Sequence, residues 1–408
     1  MFVAAFLPLA AGAQEVQGLR DRDPDLASSK KVVEDLARAN FHRGPFYLLS
    51  RLQIADAGYT EAAYLPTGDS EAGLSLTVNA PQRLYFVPSK KAIFSLDLVP
   101  GYSFFNGDSG RNQFNYLGRA DAHFLFNHLY LNAYTLRADQ LRAHVADLNR
   151  LATTRTDETG AAAEWKYSSR TSALFSAARR TYQYPSDRYQ PIFDELDFNP
   201  VQLLERDENN ARVALTHKTF PLTSLFLSAE GSDYQFRNAT FKDSRRLWYG
   251  GGVSYDSGRT GIRLEVAALS LTFSDKTQHS YQGLGGTLSA TRTNGRWTYA
   301  GRAGRDLGFS VFLANNYYVA STADAEISYI ANRRLTLRTG VVYEQDDYET
   351  PVHGIERRDQ TSFSSVGFLL TFRRLLAGVD GGWYERKSNY DVTTDSGIRY
   401  VLHLSFNP

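Results

Sequence analysis

From Phe46 to the C-terminus this 408-residue chain is patterned with period two, and its last run shows the pattern plainly. Ile398, Tyr400, Leu402, Leu404 and Phe406 are large and apolar, while Arg399, Val401, His403 and Ser405 fall between them. Successive strand side chains point to opposite faces, so this run has one apolar face and one mostly polar face. The same division recurs over Phe114 to Phe126, where Phe114, Tyr116, Gly118, Ala120, Ala122, Phe124 and Phe126 alternate with Asn115, Arg119, Asp121 and His123. It recurs again in Ile262, Leu264, Val266 and Ala268 against Arg263 and Glu265, in Leu335, Leu337, Thr339, Val341 and Tyr343 against Arg338 and Glu344, and in Val366, Phe368, Leu370 and Phe372.

A soluble β-sandwich also uses strands of this kind, and the connections separate the two possibilities. Short turns fall near Ser89 to Lys91, Asn127-His128, Ser168 to Arg170, Pro221 to Ser224, Asp256 to Arg259, Asn294-Gly295, Asn332-Arg333 and Arg373-Arg374. Between them lie longer polar connections: Arg137 to Thr159, Tyr184 to Asn209, Arg237 to Arg245, Ser274 to Gln282, Gln345 to Arg358 and Lys387 to Thr394. Tight turns at one end and long loops at the other are the mark of a membrane-spanning barrel, whereas a sandwich has no reason to sort loop length by parity. Many runs also reach about 10 to 14 residues, long beside the ~5 to 6 of an average globular strand. The pattern therefore predicts an all-β fold, a transmembrane antiparallel up-and-down β-barrel of about 18 strands (about 16 to 20) in the bacterial outer membrane. About 16 of them lie between Ala92 and Phe406; Glu71 to Ala80 and Gln82 to Pro88 are expected to complete the count, with Phe46 to Leu65 as a further hairpin or a segment outside the barrel.

Composition agrees. No apolar run approaches the ~18 residues a transmembrane helix needs. The absence of Cys removes disulfides and thiolate metal sites, and a formal net charge of +1 gives no reason to expect a nucleic-acid partner. Residues 1–13 read as a signal peptide, with a short apolar core from Phe2 to Leu9 and a small-x-small site at Ala11-Gly12-Ala13, though without a charged start. Residues 14–45 read as a periplasmic extension with a short helix starting near Ser28 or Ser29. A solvated linker is the expectation there, with docking of a partner or insertion into the barrel mouth as alternatives. The barrel is assigned to residues 46–408.

Several segments resemble the beta-barrel porin family of the second type, outer-membrane proteins associated with exopolysaccharide gene clusters. The resemblance rests on Gly44-Pro45-Phe46-Tyr47-Leu48 followed by Ala57-Gly58-Tyr59, and on units in which a strand rises into an acidic-aromatic loop: SAEGSDYQF, TGVVYEQDDYE, ANNYYVAST and the terminal YERKSNYDVTTDSGIRYVLHLSF. It departs from the family form where Tyr59 leads into Thr60-Glu61-Ala62 rather than a Tyr-Asp-Asp-Asn-like run. It implies export of a polysaccharide, or passage of hydrophilic solutes, with periplasmic polysaccharide-export proteins as partners. The stretch YVLHLSF likewise resembles the C-terminal signal read by the barrel assembly machinery, which would assign Tyr400, Leu402, Leu404 and Phe406 to assembly; Asn407 and Pro408 extend beyond the usual closing aromatic.

No nucleophile elbow, phosphate-binding glycine loop or H-E-x-x-H motif is present, so neither catalysis nor a cofactor is expected. Asp346, Asp347, His353 and Glu356 read as a solvated acidic loop rather than a catalytic or calcium cluster. Tyr182, Tyr184, Tyr189 and Trp383 could stack on sugars, but an interfacial girdle is the commoner use. The pore-lining candidates are Arg119, Asp121, Arg212, Arg263, Glu265, Arg338, Glu344 and Arg399, which would either set a transverse field across a polar pore or pair with one another to fill the interior. The rival to a channel is a plugged structural or adhesive barrel with functional loops; an outer-membrane enzyme is third.

Overall fold

The computed structural model of the chain describes residues 29–60, 73–106, 112–144, 150–185, 200–312, 315–348, 356–389 and 395–406. The signal-like segment, residues 14–28, Tyr189, His353 and the terminal Asn407-Pro408 lie outside them.

Antiparallel ladders join β6 (Ala92–Phe105), β7 (Gln113–Leu125), β8 (Leu129–His144), β9 (Arg150–Lys166), β10 (Thr171–Gln183), β11 (Arg206–Phe220), β12 (Thr223–Phe236) and β13 (Ser244–Asp256) in chain order. They continue through β14 (Thr260–Phe273), β15 (Tyr281–Asn294), β16 (Trp297–Phe309), β17 (Tyr317–Ile330), β18 (Leu335–Tyr348), β19 (Arg358–Phe372), β20 (Leu375–Ser388) and β21 (Asp395–Phe406). The ring closes where β21 pairs with β3 (Leu52–Thr60), with Leu402 opposite Ala57; β3 pairs with β4 (Gly73–Asn79), and β4 with the upper part of β6. The result is a closed barrel of 18 staves.

The count agrees with the sequence reading, but two staves arise differently. Beneath β4, β5 (Gln82–Ser89) takes over the lower part of β6 and pairs with β2 (Phe46–Ser50). The segments read as separate strands, 71–80 and 82–88, are thus the two halves of one stave, broken at Ala80-Pro81. Phe46 to Thr60 is its neighbour, broken at Arg51. A proline cannot donate to a ladder, and the two breaks face each other, Arg51 N–H donating to the Pro81 carbonyl at 2.9 Å. The sheet also begins earlier than Phe46, since β1 (Phe41–Arg43) folds back on β2. Most of the expected loop from Arg137 to Thr159 is strand, because β8 runs to His144 and β9 starts at Arg150. Above the lipid both faces of a strand meet water, so the apolar half of the alternation disappears and a strand reads as a loop.

The outer surface is apolar. Leu227 is 65 % exposed while its neighbour Ser228 is 6 % exposed, and Leu264 and Val266 are exposed on either side of buried Glu265. Trp165, Tyr167, Phe220, Trp297, Phe372 and Phe406 are exposed near the ends that carry the short turns, as an interfacial girdle would be. So large an apolar exterior on a closed sheet suits lipid, and closed antiparallel barrels of this type belong to the bacterial outer membrane, short turns facing the periplasm.

Among the described residues, a helix at one end and a hairpin tip at the other pack inside the barrel. At the short-turn end, helix α1 (Ser29–Ala37) packs on the inner wall, docked rather than running free as a solvated linker. At the opposite end β16 parts from β15, while β17 stays on β18 up to Tyr318 opposite Tyr348. β16 pairs with β15 only as far as Arg305 opposite Gly286, yet it stays paired with β17 up to Phe309 opposite Tyr317. Tyr317, Tyr318, Val319 and Ala320 are consecutively buried, so both faces of this tip are covered.

Candidate functional site

Alternation that sends leucines outward sends the charged residues of the same strands inward. On β7, Arg119 donates two bonds of 2.8 Å to Asp121, and its guanidinium lies 4.3 Å from the centre of the Tyr134 ring on β8. Asn132 donates to the same carboxylate at 3.2 Å. On β14, Glu265 accepts from Ser228 Oγ at 2.5 Å and from Trp248 Nε1 at 3.0 Å, with Arg263 at 3.9 Å and Arg212 at 4.0 Å. Arg263 also sits 4.0 Å over the Phe226 ring. On β18, Arg338 clasps Asp380 of β20 with both forks, the Nε bond measuring 2.7 Å, and His403 Nε2 lies 3.2 Å from the same carboxylate. Glu344 is buried within electrostatic reach of Arg386. Arg399 is on the inward face of β21, opposite Gly382.

Sequence reasoning missed the residues that join these groups. Tyr134 donates to Glu158; Arg180 bonds Glu158 at 2.8 Å and the Tyr182 hydroxyl at 3.1 Å; Arg206 lies 4.3 Å over the Tyr182 ring. Arginine, tyrosine and carboxylate thus succeed one another across β7 to β11. Gly160 makes room for this chain: it sits opposite Tyr134, and a β-carbon there would fall 2.7 Å from the ring. The signal in the sequence was parity alone, since Tyr134, Glu158, Arg180 and Arg206 share the inward phase of their strands.

The inward hairpin meets the end of this chain. Phe309 packs edge-on against Tyr234 at 4.8 Å and Phe236 at 4.9 Å, and Arg206 lies 5.4 Å from its ring. Asp306, fully buried, accepts from Arg246 at 3.1 Å, and Lys242 Nζ donates to the Ser310 carbonyl at 2.5 Å. Val311 joins Tyr184, Val201 and Leu204, the latter two from the short 3-10 helix Pro200–Leu204. The tip therefore reaches from β16 and β17 to β10 through β13, forming a crossbar inside the mouth with the long loops. Of the aromatics able to stack on sugars, Tyr182 and Tyr184 belong to this inner packing, whereas Trp383 is exposed on the outer face.

The acidic-loop residues do not converge on a metal site among the described residues. Asp347 is paired with Arg358 at 2.7 Å, and Asp346 is buried on the inner face.

No family model and no curated protein matches the chain. Solved structures do. OpdK of Pseudomonas aeruginosa, crystallised with vanillate, is 9 % identical over 88 % of this chain and 98 % of its own, with a TM-score of 0.53. Acinetobacter baumannii OccAB4 is 10 % identical over 90 % of this chain and 99 % of its own, at 0.52, and a BenF-like porin from Pseudomonas fluorescens Pf-5 is 9 % identical over 88 % and 99 %, at 0.51. The chain has the porin fold. At such identities the likeness reaches the barrel and not the side chains, so the inner wall is this chain's own. A wall of paired charges and tyrosine hydroxyls can exchange hydrogen bonds with a hydrated solute.

Proposed function

We propose that this protein is an outer-membrane channel for hydrophilic solutes, selective at the inner wall and at the external crossbar. The observation that carries the reading is the inward chain Asp121, Arg119, Tyr134, Glu158, Arg180, Tyr182, Arg206, which begins on the wall and ends at the crossbar. Arg119 and Arg180 are paired within it with Asp121 and Glu158, and Arg206 lies 3.9 Å from Glu208 beside it, so it offers hydrogen bonds and local transverse fields rather than one strong sign of charge, as suits polyhydroxylated solutes. The eight pore-lining residues act in this proposal as that wall. Tyr400, Leu402, Leu404 and Phe406 act as the recognition strand for the assembly machinery.

The narrower reading is export of an acidic exopolysaccharide, with periplasmic export proteins delivering it. What supports it is the resemblance in the strand-loop units. The crossbar bears on the choice, since a polymer in transit needs it displaced. Proteoliposomes carrying the purified barrel should admit neutral oligosaccharides faster than protein-free vesicles, and a deletion strain should retain polymer within the envelope. Normal surface polymer in that strain would remove the export reading; vesicles no more permeable than controls would remove the channel.

A further inference from the structure

Helix α1 lies against the inner wall at the end of the barrel that carries the short turns. The residues it contacts are on the inward phase of their strands: Leu84, Phe86 and Phe94 are exposed on the outside, while Tyr85 and Ile93 between them are buried. Val32 of the helix is 3 % exposed in a cluster with Leu49, Tyr85 and Ile93, and Leu36, Tyr47, Val87 and Leu125 pack around it. Ile93 begins β6 and Leu125 ends β7, both beside short turns, so the helix occupies the periplasmic end of the lumen.

One polar clasp adds to this small apolar contact. Asp35 accepts from Arg83 at 2.5 Å and from the Tyr85 hydroxyl at 3.0 Å, and Arg83 also reaches Asp97. Arg83 is about one-third exposed, so water and ions reach the pair and salt weakens it. The other side of the helix is free of the wall: Val33, Glu34 and Ala37 are exposed. A nine-residue helix held by Val32, the half-buried Leu36 and a partly solvent-exposed clasp on Asp35 lacks the broad apolar seam that makes packing permanent. The chain after it is tethered to β2, Asn40 N–H donating to the Leu48 carbonyl at 2.9 Å and Asn40 Oδ1 accepting from Ser50 N–H at 3.3 Å.

We propose that α1 is a tethered plug for the periplasmic mouth, closed when Asp35 is clasped by Arg83 and Tyr85 and open when the clasp breaks. This rests on the channel reading above. Two measurements test it. In planar bilayers the wild-type protein should show two conductance levels, the lower one losing occupancy as salt rises, and Asp35→Asn should spend at least tenfold less time in the lower level, while Glu34→Gln, on the exposed face, should match wild type. Because the chain has no cysteine, Val32→Cys gives a single thiol. A membrane-impermeant maleimide should label it at least tenfold more slowly than it labels Glu34→Cys, and the protection should vanish when Asp35→Asn is added. Currents that are present but identical in wild type and Asp35→Asn, or Val32→Cys labelling as fast as Glu34→Cys, would overturn the plug and leave the channel standing. No current from any correctly inserted variant overturns the channel reading, and the gate with it.

Discussion

At the scale of single residues the account depends on which way a side chain points. Leu264 and Arg263 are adjacent on β14, one exposed to lipid and the other among Glu265 and Phe226. Leu264→Arg should cost roughly 2 to 4 kcal/mol near the bilayer midplane, and Arg263→Leu much less, as measured by denaturant titration in lipid vesicles. The reverse order would mean that the register is displaced by one residue. Gly160→Ala tests the interior: its methyl must push the Tyr134 ring from its bond to Glu158, so the variant should fold less stably, while Gly118→Ala, whose added carbon meets nothing nearer than 3.7 Å, should be nearly neutral. Arg338→Gln strips Asp380 of its bidentate partner and should destabilise by about 3 to 5 kcal/mol, the cost of a buried carboxylate left short of counter-charge. The inward phase of Arg119, Arg263 and Arg338 was legible from alternation; their partners were not, because Asp380 is two strands away from Arg338 and cross-strand register depends on turns that alternation does not number.

At the scale of elements, legibility followed the solvent. All eight short turns were readable, because a strand with one lipid-facing apolar side loses that side where the lipid ends and the turn chemistry marks the spot, as at Asn294-Gly295, where Gly295 takes φ +61°. The long loops were less so. Where the β16–β17 tip turns inward, both faces of Tyr317 to Ala320 are buried, and four consecutive non-charged residues carry no phase to say which way the hairpin leans. Helix α1 was visible as a helix, but not its docking, since Val32, Leu36 and Asp35 look the same beside water as beside a wall. The crossbar depends on Phe309 and Asp306. Phe309→Ala removes two aromatic contacts worth about 0.5 to 1.5 kcal/mol each, and combined with Asp306→Asn it should loosen the tip. The double variant is expected to raise oligosaccharide permeation in vesicles without altering the heat-modifiable gel migration of a folded barrel. Unchanged permeation would mean that the tip does not restrict the mouth.

At the scale of the whole molecule, an apolar exterior, a charged interior and a closed ring require one another: lipid outside forces the period-two pattern, the pattern sends most charges of the lipid-spanning stretch inward, and ring closure pairs the strands there. The central claim is that this interior is a water-filled path whose wall charges meet the passing solute. Ion selectivity under a salt gradient tests it most directly. Replacing Arg119, Arg263 and Arg338 together with Gln removes three positive charges and leaves Asp121, Glu265 and Asp380 in place, so the zero-current potential should shift toward cation selectivity relative to wild type. An inserted, conducting triple variant with the same zero-current potential as wild type would contradict the account, because those arginines would then face no conducting path.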